Sequence, residues 1–203
     1  MKHMRKALSL LLVLAMVVCF AVPAMAASPE GATVTVYITE GMFTPGGIDD
    51  AGNQIFQEYK GGTIPADAKT ATLKVSNLPV ADLAVLKASY GNPDTTSETV
   101  TVLDAIAYAL GENNLSYTGG WDTWNTPNGG YISSVSGYTG ESNAEEVEIG
   151  DTLYTKYSGK GWNIAFGQGD TLTAPEYYGT SYEVTDGMTI VFDFSYYELY
   201  YAA

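Results

Sequence analysis

The residue types best suited to ligand binding are concentrated in Gly119–Tyr131, a segment that carries two of the three tryptophans of the chain. These tryptophans stand among glycine, asparagine and proline, which are typical of loops, and loop side chains are accessible and often functional. A flat indole beside carboxylate and amide groups could stack on a sugar ring, a corrin or another protein. The alternative is that one or both indoles fold back as a lid over the end of a helix. We predict a ligand-binding loop formed by Trp121, Asp122, Trp124, Asn125 and Tyr131.

Two residue types that dominate enzyme active sites are almost missing from the sequence. The only cysteine is Cys19 and the only histidine is His3, and both lie in a segment that we expect to be removed. Thiol nucleophiles, histidine bases and metal sites with nitrogen or sulfur ligands all need those side chains. We therefore predict a protein that is not an enzyme, with no catalytic residues and no metal or cofactor.

Carboxylates are the remaining source of catalysis or metal binding. A glycosidase needs only two acidic side chains, but no spacing marks such a pair, and the acidic run Glu145–Glu148 is typical of a solvated face. Asp49, Asp50 and Asn53 offer oxygen ligands for calcium without the residue order of an EF-hand loop. A carboxylate enzyme and a calcium site stay open as alternatives. The acidic candidates for the enzyme are Asp122, Glu141, Glu145, Glu146, Glu148 and Asp151.

The start of the chain has the composition of an export signal. Lys2, Arg5 and Lys6 precede the apolar stretch Ala7–Val22, and Ala24–Ala26 has the small-x-small pattern of a cleavage site. The apolar stretch is shorter than the ~20 residues that a membrane-spanning helix needs. We predict that residues 1–26 are a cleaved signal peptide and that the mature protein is secreted and extracellular, with no membrane insertion.

The mature protein would be strongly acidic. The whole chain has a formal net charge of −14 at pH 7, and residues 1–26 hold three basic residues and no acidic one, so their removal takes the charge to −17. Such a surface repels nucleic-acid phosphates and anionic lipid. We therefore expect neither nucleic acid nor a membrane surface as a partner.

Strand and helix patterns follow along the mature chain. Ala32–Thr39 alternates apolar and polar residues, which predicts a half-buried strand, and Thr70–Val75 repeats the pattern. Val102–Leu110 has an apolar stripe, a capping-box pair in Thr101 and Asp104, and a glycine at its end, which predicts a helix. Glycine-rich loops with one short hairpin connect the first two strands. Further strands are predicted at Gly130–Val135, Gly161–Phe166 and Met188–Tyr197, and the hairpin is predicted around Gln54–Lys60.

One helix packed on a mostly antiparallel sheet gives an α+β architecture in a single domain. Trp162 alternates with Ile164 and Phe166, so we expect its indole to pack in the core. The many tyrosines near the C terminus suit half-exposed strands. A tyrosine-rich face could also bind a protein, either through its side chains or by pairing at a strand edge.

Four local motifs occur in a fixed order, at Thr101–Ile106, Gly129–Gly137, Gly161–Ile164 and Tyr182–Ile190. Together they resemble a bacterial family of domains of unknown function related to the C-terminal β-domain of transcobalamin and intrinsic factor. The resemblance spans about Thr99–Tyr197 and implies a β-grasp-like fold, with strands wrapped around one helix. It divides the chain into a signal peptide (1–26), N-terminal strands and long loops (27–99) and a β-grasp core (100–203).

The resemblance also implies a class of ligand. In the animal proteins a separate helical domain supplies half of the cobalamin site, and nothing in this chain resembles that domain. We predict a secreted, non-catalytic binding module for a small molecule, with cobalamin or another corrinoid as the ligand that the resemblance implies. The alternative is a carbohydrate or cell-surface protein adhesion module that uses the aromatic loop.

Overall fold

The computed structural model describes residues 31–124, 126–169 and 171–202. The predicted signal peptide lies outside these ranges. The described chain forms eleven strands, two α-helices and two short 3-10 turns, at Val75–Asn77 and Gly179–Ser181. The helices are α1 (Val80–Ser89) and α2 (Val102–Glu112). The strands are β1 (Thr33–Glu40), β2 (Gly47–Ile48), β3 (Gln54–Ile55), β4 (Lys69–Lys74), β5 (Tyr117–Asp122), β6 (Gly129–Val135), β7 (Tyr138–Thr139), β8 (Glu141–Ile149), β9 (Thr152–Gln168), β10 (Thr171–Thr173) and β11 (Met188–Ala202).

Six of these strands form one mixed sheet in the order β10–β9–β11–β1–β4, with β8 paired to the first half of β9. β1 runs parallel to β11, and the other pairings in this sheet are antiparallel. β9 and β11 pair along nearly their whole length, from Met188 opposite Gln168 to Ala202 opposite Tyr154. The second half of β11 extends past β1, so with β9 and β8 it forms a three-stranded ribbon.

The alternation of the central strands directs their apolar side chains to one face of the sheet. Val34 and Val36 of β1 and Ile190 and Phe192 of β11 are buried there. α2 packs against this face and contributes most of its own length to the same core. The strand predicted at Ala32–Thr39 is confirmed, and its position between β11 and β4 makes it a central strand.

The predicted helix and its cap are also confirmed. The Thr101 hydroxyl accepts a hydrogen bond from the Asp104 N–H, and the Asp104 carboxylate accepts one from the Thr101 N–H. This reciprocal pair satisfies backbone donors that the first turn of a helix leaves free. No helix in the described ranges is long and apolar enough to cross a bilayer.

The opposite face of the sheet is covered by residues 41–66. Met42 and Phe43 join Val191 in a second apolar cluster on this face. The buried carboxylate of Asp193 accepts a 3.0 Å hydrogen bond from the Met42 N–H. This connection and α2 therefore pack on the two opposite faces of the sheet.

The predicted α+β, β-grasp-like fold with one helix is wrong. The described chain is mostly strands, which form three separate sheets, and a second helix, α1, packs beside α2. The main sheet is mixed because β1 pairs in parallel with β11, which comes from the other end of the chain. Pairing over such a sequence separation leaves no local pattern from which it could be predicted.

The segment predicted as a ligand-binding loop, Gly119–Tyr131, is mostly a hairpin. β5 and β6 pair antiparallel, with Asp122 opposite Gly129 next to the turn, and β7 adds a third strand. Trp121 and Asp122 therefore lie on a strand, and the described residues 123–124 and 126–128 lie between the two strands.

Candidate functional site

One side of β9 has a segment without a neighbouring strand. β9 pairs with β11 on one side; on the other side it pairs with β8 up to Lys160 and with β10 from Phe166 onward. Among the residues that the structure describes, no strand pairs with 161–165 on that second side. Strand residues direct backbone N–H and C=O groups alternately to the two sides. Residues 161–165, which we call the open edge, therefore present backbone polar groups that no strand satisfies.

A cleft of about 600 Å³ lies against the open edge. Three consecutive β9 residues, Trp162, Asn163 and Ile164, line it. A pocket on one face of a sheet would be lined by alternate residues only, because successive side chains point to opposite faces. The lining also includes Phe192 from the α2 face and Phe43 from the opposite face. The cavity therefore opens onto the strand edge, and we call it the edge cleft.

The walls of the edge cleft come from β6 and from the connection that follows β10. Gly130, Tyr131 and Ile132 form one wall, and residues 174–179 form the other. β10 ends at Thr173, and the nearby Pro175 has no N–H with which to extend a ladder along β9. The chain leaves β9 at this point, which keeps the open edge uncovered.

β6 approaches the helix layer closely because a glycine faces it. A Cβ on Gly130 would lie 2.7 Å from Cδ2 of Tyr90 and 2.9 Å from Cδ2 of Leu103. Both of those side chains are buried. The Gly130 N–H also donates a hydrogen bond to the Thr180 hydroxyl at 3.1 Å. The cleft wall is thus fixed against the core on one side and against the 3-10 turn Gly179–Ser181 on the other.

A buried polar network lies behind this wall. The Asp104 carboxylate accepts hydrogen bonds from the Tyr90 hydroxyl at 2.7 Å and from Lys87 Nζ at 2.8 Å. Lys87 also donates to the Thr99 carbonyl at 2.9 Å. Burial, followed by the nearby Asp104 charge, raises the pKa of Tyr90 well above its usual range. Tyr90 therefore stays protonated at neutral pH and keeps donating to Asp104.

Two of the predicted site residues take different positions on the hairpin, and a third cannot be placed. Trp121 is half-buried and packs against the main core. Trp124, on the turn, is 94% exposed. Asn125 lies outside the described residues. Trp121 therefore packs on the core, whereas the Trp124 indole is accessible.

The other two predicted residues contact the edge cleft or its frame. Tyr131 is 44% exposed and lines the cleft. Asp122 accepts a 2.7 Å hydrogen bond from the Trp124 N–H and another from the Tyr178 hydroxyl. Because Tyr178 belongs to the opposite cleft wall, Asp122 connects the hairpin turn to that wall.

Trp162, which the sequence places in the core, has a second role that its pattern did not indicate. Its indole stacks on Phe192, with ring centroids 4.5 Å apart at 18°, and packs against the main core as expected. The indole N–H donates to the Tyr138 carbonyl at 3.1 Å. The same side chain separates the edge cleft from a second cleft of about 550 Å³ near Ile38 and Phe194. An unpaired edge could not be read from the strand pattern, because it depends on where β8 and β10 end.

Two of the three candidate calcium ligands, Asp49 and Asn53, are bonded to each other in a turn. The Asp49 carboxylate accepts hydrogen bonds from the Asn53 side-chain amide at 2.9 Å, the Asn53 N–H at 2.8 Å and the Ala51 N–H at 2.9 Å. These bonds, with the Asn53 side chain first, hold the pKa of Asp49 below its usual range. Within residues 31–124, 126–169 and 171–202, no group of three or more histidine, cysteine or acidic side chains could hold a metal ion.

The sequence matches no protein-family model, no curated protein and no solved structure. The resemblance carried by the four motifs therefore stays a prediction, and the function has to be argued from the geometry of the edge cleft.

Proposed function

We propose that this chain is a secreted, non-catalytic binding module whose ligand lies in the edge cleft. The cleft itself is the observation that carries the proposal. Its volume of about 600 Å³ falls in the range of roughly 300–1,000 Å³ that is typical of ligand pockets. Trp162 and Ile164 provide an apolar surface, and Gln57, Asn163 and Glu176 provide a few polar groups that can orient a ligand.

Two ligand classes follow from the sequence. A corrinoid is the small molecule that the motif resemblance implies, and its flat ring suits a cleft lined by Trp162 and Tyr131. A carbohydrate is the second candidate, favoured by the 94% exposure of Trp124 on the turn that continues into the cleft residues Thr126 and Pro127. Aromatic side chains with nearby amides and carboxylates can stack on a sugar ring and bind its hydroxyls.

Tryptophan fluorescence of the mature protein, with all three indoles retained, provides the test. Cobinamide, cobalamin, a panel of oligosaccharides and a pool of capped heptapeptides are titrated separately into the mature protein. We expect at least one probe to change the tryptophan emission saturably. The double variant Tyr131→Ala/Tyr177→Ala should weaken that probe by about tenfold or more, because large tyrosines at a cleft are typical binding hot spots.

The matched control is Tyr201→Ala. Tyr201 is 57% exposed, comparable to Tyr131 at 44% and Tyr177 at 45%, but it lies on the ribbon and outside the cleft lining. Its replacement should leave binding unchanged. If no probe binds, or if the cleft and control variants bind equally well, the proposed function is wrong.

A further inference from the structure

We propose that the ligand of the edge cleft is an extended peptide segment of a partner protein, which adds a strand to β9 between β8 and β10. This inference rests on the proposed function, because it names the ligand class of the same cleft. It follows from the backbone groups that the open edge exposes, from the direction of the flanking strands β8 and β10, and from the charge of the protein.

The backbone of β9 is exposed along the open edge. Residues 161–165 span about 17 Å at ~3.3 Å per strand residue, and β8 and β10 end at its two limits. Backbone N–H and C=O groups that are withdrawn from water need partners. A peptide strand offers such groups at the same repeat as β9, whereas a corrin or a sugar ring does not. Strand addition at an exposed edge is a general mode of peptide recognition.

The two strands that flank the open edge fix the direction and register of an added strand. β8 and β10 both run antiparallel to β9 on this side, so a strand between them in the same direction would continue a single line of antiparallel pairing. Successive side chains of the added strand would point to opposite faces. One face meets Leu103, Ile132 and Ile164, and the other, which is more polar, meets Gln57, Asn163 and Phe43. The fitting sequence therefore alternates apolar with small or polar residues.

The charge of the protein also limits which peptides fit. The protein is strongly acidic, with 23 acidic against 9 basic residues in the whole chain. Among the described residues that line the cleft, Glu176 has the one charged side chain. Opposite charge favours encounter and suppresses wrong partners. The peptide should therefore be neutral or basic. Its basic residues should lie outside the five positions that pair with residues 161–165.

Selection from a random heptapeptide library displayed on phage, against the immobilised mature protein, tests the inference. We expect enriched peptides that alternate apolar and polar residues and carry no acidic excess. A synthetic copy of the best peptide should bind wild type and Tyr201→Ala alike. It should bind Tyr131→Ala/Tyr177→Ala at least about tenfold more weakly.

N-methylation of alternate backbone nitrogens in that peptide distinguishes strand pairing from side-chain binding alone. Only every second N–H of an added strand points to β9. Methylation of that set should weaken binding by about tenfold or more, since it removes several hydrogen bonds, while methylation of the other set should leave it within about threefold.

Failure of the inference can be separated from failure of the proposed function. If no peptide is enriched, or if both methylated sets bind equally, strand addition is wrong. If cobinamide or an oligosaccharide then binds in the edge cleft, the proposed function stands with another ligand. If the protein dimerises in light scattering and Tyr131→Ala/Tyr177→Ala abolishes the dimer, the occupant is a second copy and the peptide inference is overturned.

Discussion

Lys87 Nζ lies 2.8 Å from Asp104 Oδ2, and the two side chains are only 1% and 0% exposed. This ion pair joins the last turn of α1 to the first turn of α2. Asp104 also accepts from the Tyr90 hydroxyl and from the Thr101 N–H, so its carboxylate is fully engaged. The network therefore links α1 to α2 through polar contacts, behind the wall of the edge cleft.

Removing one partner of this ion pair should strongly destabilise the folded protein. In Lys87→Met the methionine fills similar space but leaves the Asp104 charge buried without its cation. We expect the free energy of unfolding to fall by about 3–5 kcal/mol, measured by urea denaturation. The double variant Lys87→Met/Asp104→Asn removes both charges and keeps an amide at the helix cap, so it should recover part of the loss. A loss below about 1 kcal/mol in Lys87→Met would show that the pair contributes little.

Tyr90 should make the free energy of unfolding fall as the pH becomes alkaline. Burial, and secondarily the Asp104 charge, raises the pKa of Tyr90 above the ordinary value of 10.0. Because the folded-state pKa exceeds that of the unfolded chain, this contribution is complete below pH 10 and is lost as the pH rises toward the folded-state pKa. Urea unfolding between pH 8 and pH 11 should show falling stability above pH 10, and Tyr90→Phe should show a shallower fall. Equal slopes would exclude Tyr90 as a source of the effect.

Tyr59, Tyr108 and Tyr200 also have pKa values raised first by burial. Part of the alkaline loss should therefore remain in Tyr90→Phe. At pH 8 the variant should be less stable by roughly 1.5–3 kcal/mol, because it loses a hydrogen bond to a charged acceptor.

Two glycine-to-alanine substitutions should have opposite signs. In Gly130→Ala the new Cβ would meet Tyr90 and Leu103 at 2.7–2.9 Å, so the buried cleft wall must shift, at a cost of about 1–3 kcal/mol. In Gly111→Ala, on α2, nothing lies within 4 Å of the new Cβ. Alanine should stabilise that helical position by about 0.5–1 kcal/mol. Thermal unfolding checks both, and a neutral Gly130→Ala would contradict the close packing of β6.

The elements with strong local signals were predictable from the sequence. α2 carries its own cap in Thr101 and Asp104 and an apolar stripe, and β1 alternates strictly, so both are specified by neighbouring residues. α1 was missed because its signal is weak: no side chain caps it, and only Leu83 and Lys87 of it are buried.

The fold class and the site could not be predicted, because both depend on contacts between distant segments. The parallel pairing of β1 with β11 makes the sheet mixed, and no local pattern encodes it. β9 is longer than the strand predicted at Gly161–Phe166, because its polar first half is held by β8 and β11. Of the five predicted site residues, Tyr131 lines the edge cleft and Asp122 holds its frame. Trp162 was predicted only as a core residue, since its position beside an unpaired edge depends on where two other strands end.

Amide hydrogen exchange along β9, with and without the selected peptide, tests the central claim most directly. In the free protein, alternate amides within 161–165 should exchange rapidly, while their neighbours that bond to β11 stay protected. Addition of the peptide should protect the rapidly exchanging amides and leave those of the ribbon unchanged. Uniform protection of 161–165 in the free protein, or no added protection when the peptide is bound, would contradict an open edge that accepts a strand.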